Sequence, residues 1–206
     1  MQGYVVRIQR VRNEDLIVTI LTEHRLQTVY RFYGARHSTL NLGYKIDFEI
    51  EHTLQSPMGR LRDVIHLGFP WLKELGRTRL WHQFVSLFYP HLKDAEETGA
   101  FYFELFEHCA SLWGRQNPKR LALEAYVSLL EYEGRLPDPS RCFFCELPIE
   151  EKHLTVIRSF HCAHEHCTHA GGIERNAFTE LTLRKSALFL CDDDVERLWL
   201  VLKEGL

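Results

Sequence analysis

Four of the six cysteines in this 206-residue chain fall within one short stretch. Cys142-Phe-Phe-Cys145 is a pair with a two-residue gap. Sixteen residues then separate Cys145 from Cys162, and four separate Cys162 from Cys167. A knuckle followed by a second cysteine pair at this distance has the spacing of a tetrahedral zinc site. The short gap lets both knuckle thiolates reach one ion at about 2.3 Å, and the intervening loop closes the shell. His161, His164 and His166 sit between and beside the second pair. Cys142, Cys145, Cys162 and Cys167 make the simplest ligand set, with His164 or His166 able to replace Cys167. Cysteines that only fill a core do not arrive as a knuckle plus a spaced pair. A catalytic ion keeps a position open for water, whereas thiolates can fill this shell. Neither H-E-x-x-H nor the zinc-deaminase pattern occurs. The expectation is one structural Zn²⁺ and no catalytic residue. Cys109 and Cys191 lie outside the cluster and read as buried thiols.

Composition sets broad limits. A chain with 45% hydrophobic and 26% charged residues can bury one large core or two small ones. No apolar run approaches the roughly 20 residues needed to span a bilayer. The start, Met1-Gln-Gly-Tyr-Val-Val-Arg7, has no signal-like apolar segment, so a cytoplasmic protein with reduced cysteines is expected. Net charge is −3, yet residues 1–75 hold ten Lys+Arg against eight Asp+Glu, and the rest of the chain is acidic on balance.

The elements that must position these residues change character near residue 72. Tyr4–Ile8, Leu16–Leu21 and Thr28–Tyr33 are short β-branched and aromatic runs with polar breaks between them. Lys45–Glu51 alternates, placing Ile46, Phe48 and Ile50 on one face. Ser56-Pro-Met-Gly59 reads as a turn before a strand over Leu61–Leu67. Five strands in so short a length predict a small closed barrel of OB type over residues 1–72. Helical periodicity follows over Arg77–Tyr89, with Pro90 ending it, and over Thr98–Trp113. Asn117-Pro118 is a helix start and Gly134 a helix stop. The helix between is apolar around most of its circumference, hence central and buried. Thr182–Leu190 reads as a helix, and Asp192-Asp-Asp194 as the acidic first turn of another. The result is an α+β multi-domain chain. An OB-like β-barrel (1–72) leads into an α-helical domain (73–140 and 173–206) that carries a zinc-knuckle insert (141–172).

Leu129-Leu-Glu-Tyr-Glu-Gly-Arg-Leu-Pro137 running into Cys142-x-x-Cys145 resembles the buried helix and zinc knuckle of the RecO family of bacterial recombination-repair mediators. Asn13-Glu-Asp-Leu-Ile-Val-Thr-Ile-Leu-Thr22 looks like its strand after the first turn, Gly34-Ala35-Arg36 like a motif of its barrel, and Lys185-Ser-Ala-Leu-Phe-Leu190 like its C-terminal segment. The order is kept along nearly the whole chain. The resemblance implies a non-enzymatic, cytoplasmic and nucleoid-associated protein that binds single- and double-stranded DNA. It would anneal strands coated with single-stranded-DNA-binding protein and work with RecR to load RecA, with structural zinc and no membrane partner. Two features depart from the family pattern. Tyr33 and His37 flank the Gly-Ala-Arg where basic residues are usual, and the second cysteine pair has a four-residue gap rather than two.

Binding a single strand without sequence preference needs cations along the phosphate path and flat side chains for the bases. The predicted barrel offers Arg7, Arg10, Arg12, Arg25, Arg31, Arg36 and Lys45, interleaved with Tyr30, Phe32, Tyr33 and Tyr44. Strand alternation puts Tyr30 and Phe32 on one face and Arg31 and Tyr33 on the other. With the first pair in the core, Arg31, Tyr33 and Arg36 become the leading DNA-contact candidates. The competing reading is a zinc-stabilised protein-interaction adaptor with a passive barrel. Walker A, dinucleotide-fingerprint and nucleophile-elbow patterns are missing, so a hydrolase is not expected.

Overall fold

The computed structural model describes residues 1–11, 14–36, 39–53 and 56–206. Arg12, Asn13 and His37, which enter the sequence reading, lie outside the described residues. The chain divides into two compact units, Met1–Gly114 and Arg115–Leu206, so the first helices after the barrel belong to the barrel's own unit.

The first unit is built on a closed barrel of strands β1 (Gln2–Arg10), β2 (Leu16–Leu21), β3 (Leu26–Arg31), β4 (Lys45–Thr53) and β5 (Ser56–His66), in the order β1-β2-β3-β5-β4. All pairings are antiparallel except β3 with β5, where Tyr30 pairs with Arg60. The expected alternation supplies the interior: Val5, Val18, Ile20, Val29, Ile46, Phe48 and Leu61 are buried in one cluster. β1 is buried from Gly3 through Val6 without alternating. Val5 faces the barrel interior, while Tyr4 packs on Phe106 (ring centroids 5.1 Å apart) and Trp81 (6.2 Å). Helices cover the outer face of this strand. The predicted turn at Ser56–Gly59 is instead the start of β5. Glycine serves there as a flat spot rather than a bend, since a Cβ on Gly59 would lie 2.5 Å from Ile50 Cγ2.

Helices α1 (Leu75–Ser86), α2 (Phe88–Leu92) and α3 (Ala100–Leu112) complete this unit. Pro90 does not end a helix as predicted. It sits third in α2, where its missing N–H would have no partner within the helix anyway. Trp71, Trp81 and Trp113 form an aromatic core, and each indole N–H donates to a carbonyl, of Ala110, Gly43 and Arg77 respectively. Gly43 has φ +77°, and a Cβ there would meet Trp81 Nε1 at 2.5 Å, so only glycine admits that indole.

In the second unit, α4 (Pro118–Tyr132) starts where Asn117 Oδ1 accepts the backbone N–H of Lys119 at 3.0 Å, and Gly134 follows its end with φ +68°. Leu121, Leu123, Ala125, Val127, Leu129 and Leu130 are all buried, as its all-round apolar pattern predicts. Helices α6 (Arg175–Arg184) and α7 (Asp192–Leu202) pack on it. The helix expected over Thr182–Leu190 stops at Arg184, where Lys185 turns left-handed (φ 53°). Beyond Lys185 the chain forms a loop whose backbone is held by α4. Arg120 donates to the carbonyls of Ala187 and Leu190, and Glu124 accepts the Ala187 N–H at 2.8 Å. Asp192, Asp193 and Asp194 occupy the first turn of α7, as its dipole favours. Cys191 precedes them and is exposed, not buried as expected. Between α4 and α6 lie a three-stranded sheet, β7-β6-β8 (Cys162–Ala163, His153–Val156, Ile173–Glu174), and the short helix α5 (Glu165–Thr168).

Candidate metal centre and barrel nucleic-acid face

Backbone hydrogen bonds shape the knuckle first. Glu146 N–H donates to Cys142 O and Cys142 N–H to Leu147 O, each at 2.9 Å, while Phe143 N–H ties the loop to Cys162 O at 2.7 Å. Strand β7 then delivers His164 to the start of α5, and α5 carries Cys167. The Cys142, Cys145 and Cys167 sulfurs and one nitrogen of His164 all lie within 4.8 Å of one another. His164 Nδ1 is 3.3 Å from Cys145 Sγ and 3.9 Å from Cys167 Sγ. Those distances straddle the roughly 3.6 Å edge that a tetrahedral zinc shell with standard Zn–S and Zn–N bonds requires. The other ring nitrogen, Nε2, lies 3.0 Å from Pro148 O and 3.6 Å from Glu151 Oε2. Nε2 therefore carries the proton and leaves the Nδ1 lone pair facing the sulfurs, the arrangement that fixes a ligating histidine.

The electrostatics agree with a cation site. Burial opposes ionisation of Cys142, but the backbone N–H groups of Cys145, His164 and Phe144 outweigh it and bring the thiol down to about 6. Burial, then the nearby Cys142 and Cys145 sulfurs, pushes the Cys167 thiol up to about 11. Crowded thiolates repel one another until a dication sits among them. The cluster can hold a metal ion.

Cys162 is not part of this cluster, contrary to the sequence expectation. Strand β7 turns its thiol into the interior, 3.8 Å from Phe160 O, where burial pushes it up to about 12. His164 takes the fourth place instead of Cys162, and Cys167, for which a histidine was the alternative, stays. His166 stacks on His164 (4.7 Å) without joining the set.

On the barrel, the candidate cations separate into two groups. Lys45 lies 2.8 Å from Glu107, with its side chain 15% exposed, and Arg31 donates to Leu61 O at 2.8 Å. Both hold the fold together. Arg7, Arg10 and Arg36 are exposed. Arg7 lies over the Tyr89 ring at 4.3 Å and Arg36 over Tyr33 at 4.9 Å, the latter also paired with Glu14. Phe32 is not in the core as alternation predicts, because β3 ends at Arg31. Phe32 is 46% and Tyr33 52% exposed, and Arg60 lies over Phe32 at 5.1 Å. Two outward aromatic rings, each covered by a guanidinium, thus stand at one end of the barrel. Phe32 and Arg60 were absent from the predicted site, since the run 28–33 reads as one continuous strand whose end at Arg31 the sequence pattern does not mark.

Residues 1–72 match the family model for the RecO N-terminal domain. The barrel is therefore similar to the N-terminal domain of that family. The match covers the barrel alone, 72 of the 206 residues. No curated protein sequence matches the chain significantly. In the barrel the Gly34-Ala35-Arg36 motif forms a single 3-10 turn directly after Tyr33. Gly34 is buried, and a Cβ there would meet Arg31 Cγ at 2.8 Å and Leu16 Cδ1 at 2.9 Å. The glycine lets the turn press on the barrel wall, which sets Arg36 beside Tyr33.

Proposed function

We propose that this protein is a non-enzymatic recombination-repair mediator whose barrel binds single-stranded DNA. It anneals strands coated with single-stranded-DNA-binding protein and, with RecR, helps load RecA. The observation that carries the reading is the Phe32–Arg60 and Tyr33–Arg36 pairing on a barrel similar to the RecO N-terminal domain. Aromatic faces stack on bases of any sequence and guanidinium groups follow the phosphates, which is what sequence-independent binding needs. The ion held by Cys142, Cys145, His164 and Cys167 is zinc, and its role is structural. The set fills a tetrahedron, and a bound ion contributes on the order of 10 kcal/mol to ordering a module with little core of its own.

The test is a salt titration of binding to a fluorescent oligonucleotide, followed by annealing of protein-coated strands with and without RecR. Binding that weakens steeply with salt and is lost in a Phe32→Ala/Arg36→Ala variant supports the reading. A folded, zinc-loaded protein that fails to bind at low salt overturns it. One observation favours the adaptor alternative: Phe143, Phe144 and Leu147 are each more than half exposed on the knuckle, a surface suited to a protein partner.

A further inference from the structure

The barrel unit contains a cavity of about 670 Å³ between β1 and the α1–α2 turn. Val6, Ile8, Leu42 and Pro90 give it apolar walls, and Ser86 and Tyr89 also line it. Two cations, Arg7 and Lys93, stand at its lining, and no acidic side chain is among the described residues that line it. In a chain of net charge −3 that is a local reversal of sign. The Arg7 guanidinium lies 4.3 Å over the Tyr89 ring and donates to the Tyr89 hydroxyl, so its plane is fixed rather than free.

We infer that this cavity receives one unstacked base of a single strand together with its phosphate. The inference rests on the DNA-binding reading and names a place for the strand that the exposed aromatic pair does not supply. The volume lies within the range of small-molecule sites. A guanidinium held flat by an aromatic ring offers a second flat surface on which a base can stack, and single-strand readers use arginine planes in this way. Lys93 supplies a mobile ammonium for the phosphate, its neighbour Asp94 being 3.9 Å away and largely exposed. An aliphatic ligand would fit the apolar walls but make no use of Arg7 or Lys93, and a free inorganic anion would leave the apolar walls bare.

The experiment uses the full chain and an oligothymidylate carrying a photoreactive thymine analogue. Crosslinks should map to β1 and α2. Ser86→Trp fills the cavity without removing a charge and should weaken binding roughly 5- to 160-fold, the range of one lost base stack. Lys93→Ala should lower the salt slope by about 0.7, one phosphate on a single strand. Wild-type affinity and slope in both variants, with crosslinks elsewhere, would overturn the cavity assignment and leave barrel binding standing. No binding by the wild type at low salt would remove both. Protection of the cavity by an anionic peptide, with no crosslink from the strand, would make its occupant a protein segment and also overturn the assignment.

Discussion

Asp15 holds Tyr33 from below: its Oδ1 accepts the Tyr33 backbone N–H at 2.6 Å, and its Oδ2 accepts the Tyr30 hydroxyl at 2.5 Å. Tyr33 has φ 49°, a left-handed conformation that a tyrosine seldom adopts without support. The buried carboxylate at the start of β2 therefore orients an exposed ring in the turn after β3. Asp15→Ala should cost about 1.5–3 kcal/mol, as expected for losing a hydrogen bond to a charged group, measured by urea unfolding. It should also weaken oligonucleotide binding even though Asp15 itself repels phosphate. Tighter binding in the variant would mean that the carboxylate acts only through its charge.

The Arg36–Glu14 pair is solvent-exposed on both sides, with side chains 61% and 51% exposed. Such pairs add little to stability, so the effect of breaking this one should appear in binding. Glu14→Gln should leave the unfolding midpoint unchanged and raise affinity for a single strand severalfold at low salt, because Arg36 becomes available to a phosphate. The gain should vanish at high salt. Arg36→Ala should show the opposite change, and a barrel whose affinity ignores both variants does not use this end.

These relationships mark where the sequence could be read and where it could not. β2 was legible as an almost unbroken β-branched run, and β4 because one of its faces is apolar and fills the barrel interior. Tyr33 was legible as an outward-facing residue, but for the wrong reason, because alternation carries no information past the last paired residue, Arg31. Lys45 looked like a surface cation, and only the fold brings Glu107, sixty-two positions away, onto it. The metal centre was legible as a knuckle plus a distant pair. Which of Cys162, His164 and Cys167 face the ion depends on how a two-residue strand meets a four-residue helix, which spacing alone does not encode. The 185–190 loop was misread because its helix-compatible residues are overruled by Arg120 and Glu124 of α4.

The metal assignment gives a direct discrimination. Cys142→Ser and His164→Ala should each lose bound zinc, measured by metal content of the purified protein. Cys162→Ala should retain one ion per chain and lose only the stability of a small buried side chain. On loss of zinc, proteolysis should open the 141–172 region and loosen the second unit, while barrel-based oligonucleotide binding persists. Zinc loss in Cys162→Ala with retention in His164→Ala would restore the four-cysteine set.

Two histidines of the barrel unit make its stability depend on pH. His66 stacks on Tyr44 at 4.0 Å, His82 lies on α1, and the Nε2 atom of each is buried without a hydrogen-bond partner. Burial lowers the pKa of both below the ordinary histidine value. The folded state thus resists protonation while the unfolded chain accepts it near pH 6.5. Their contribution is fully present above about pH 6.5 and declines as pH falls below it toward the lowered folded-state values. Unfolding followed by emission from Trp71, Trp81 and Trp113, in a Trp199→Phe background, should show a midpoint that falls between about pH 7.5 and 5.5. His82→Leu should flatten that fall, because the variant removes a proton-binding group that only the unfolded state can fill. An unchanged pH dependence in His82→Leu and His66→Leu alike would assign the acid sensitivity to other groups.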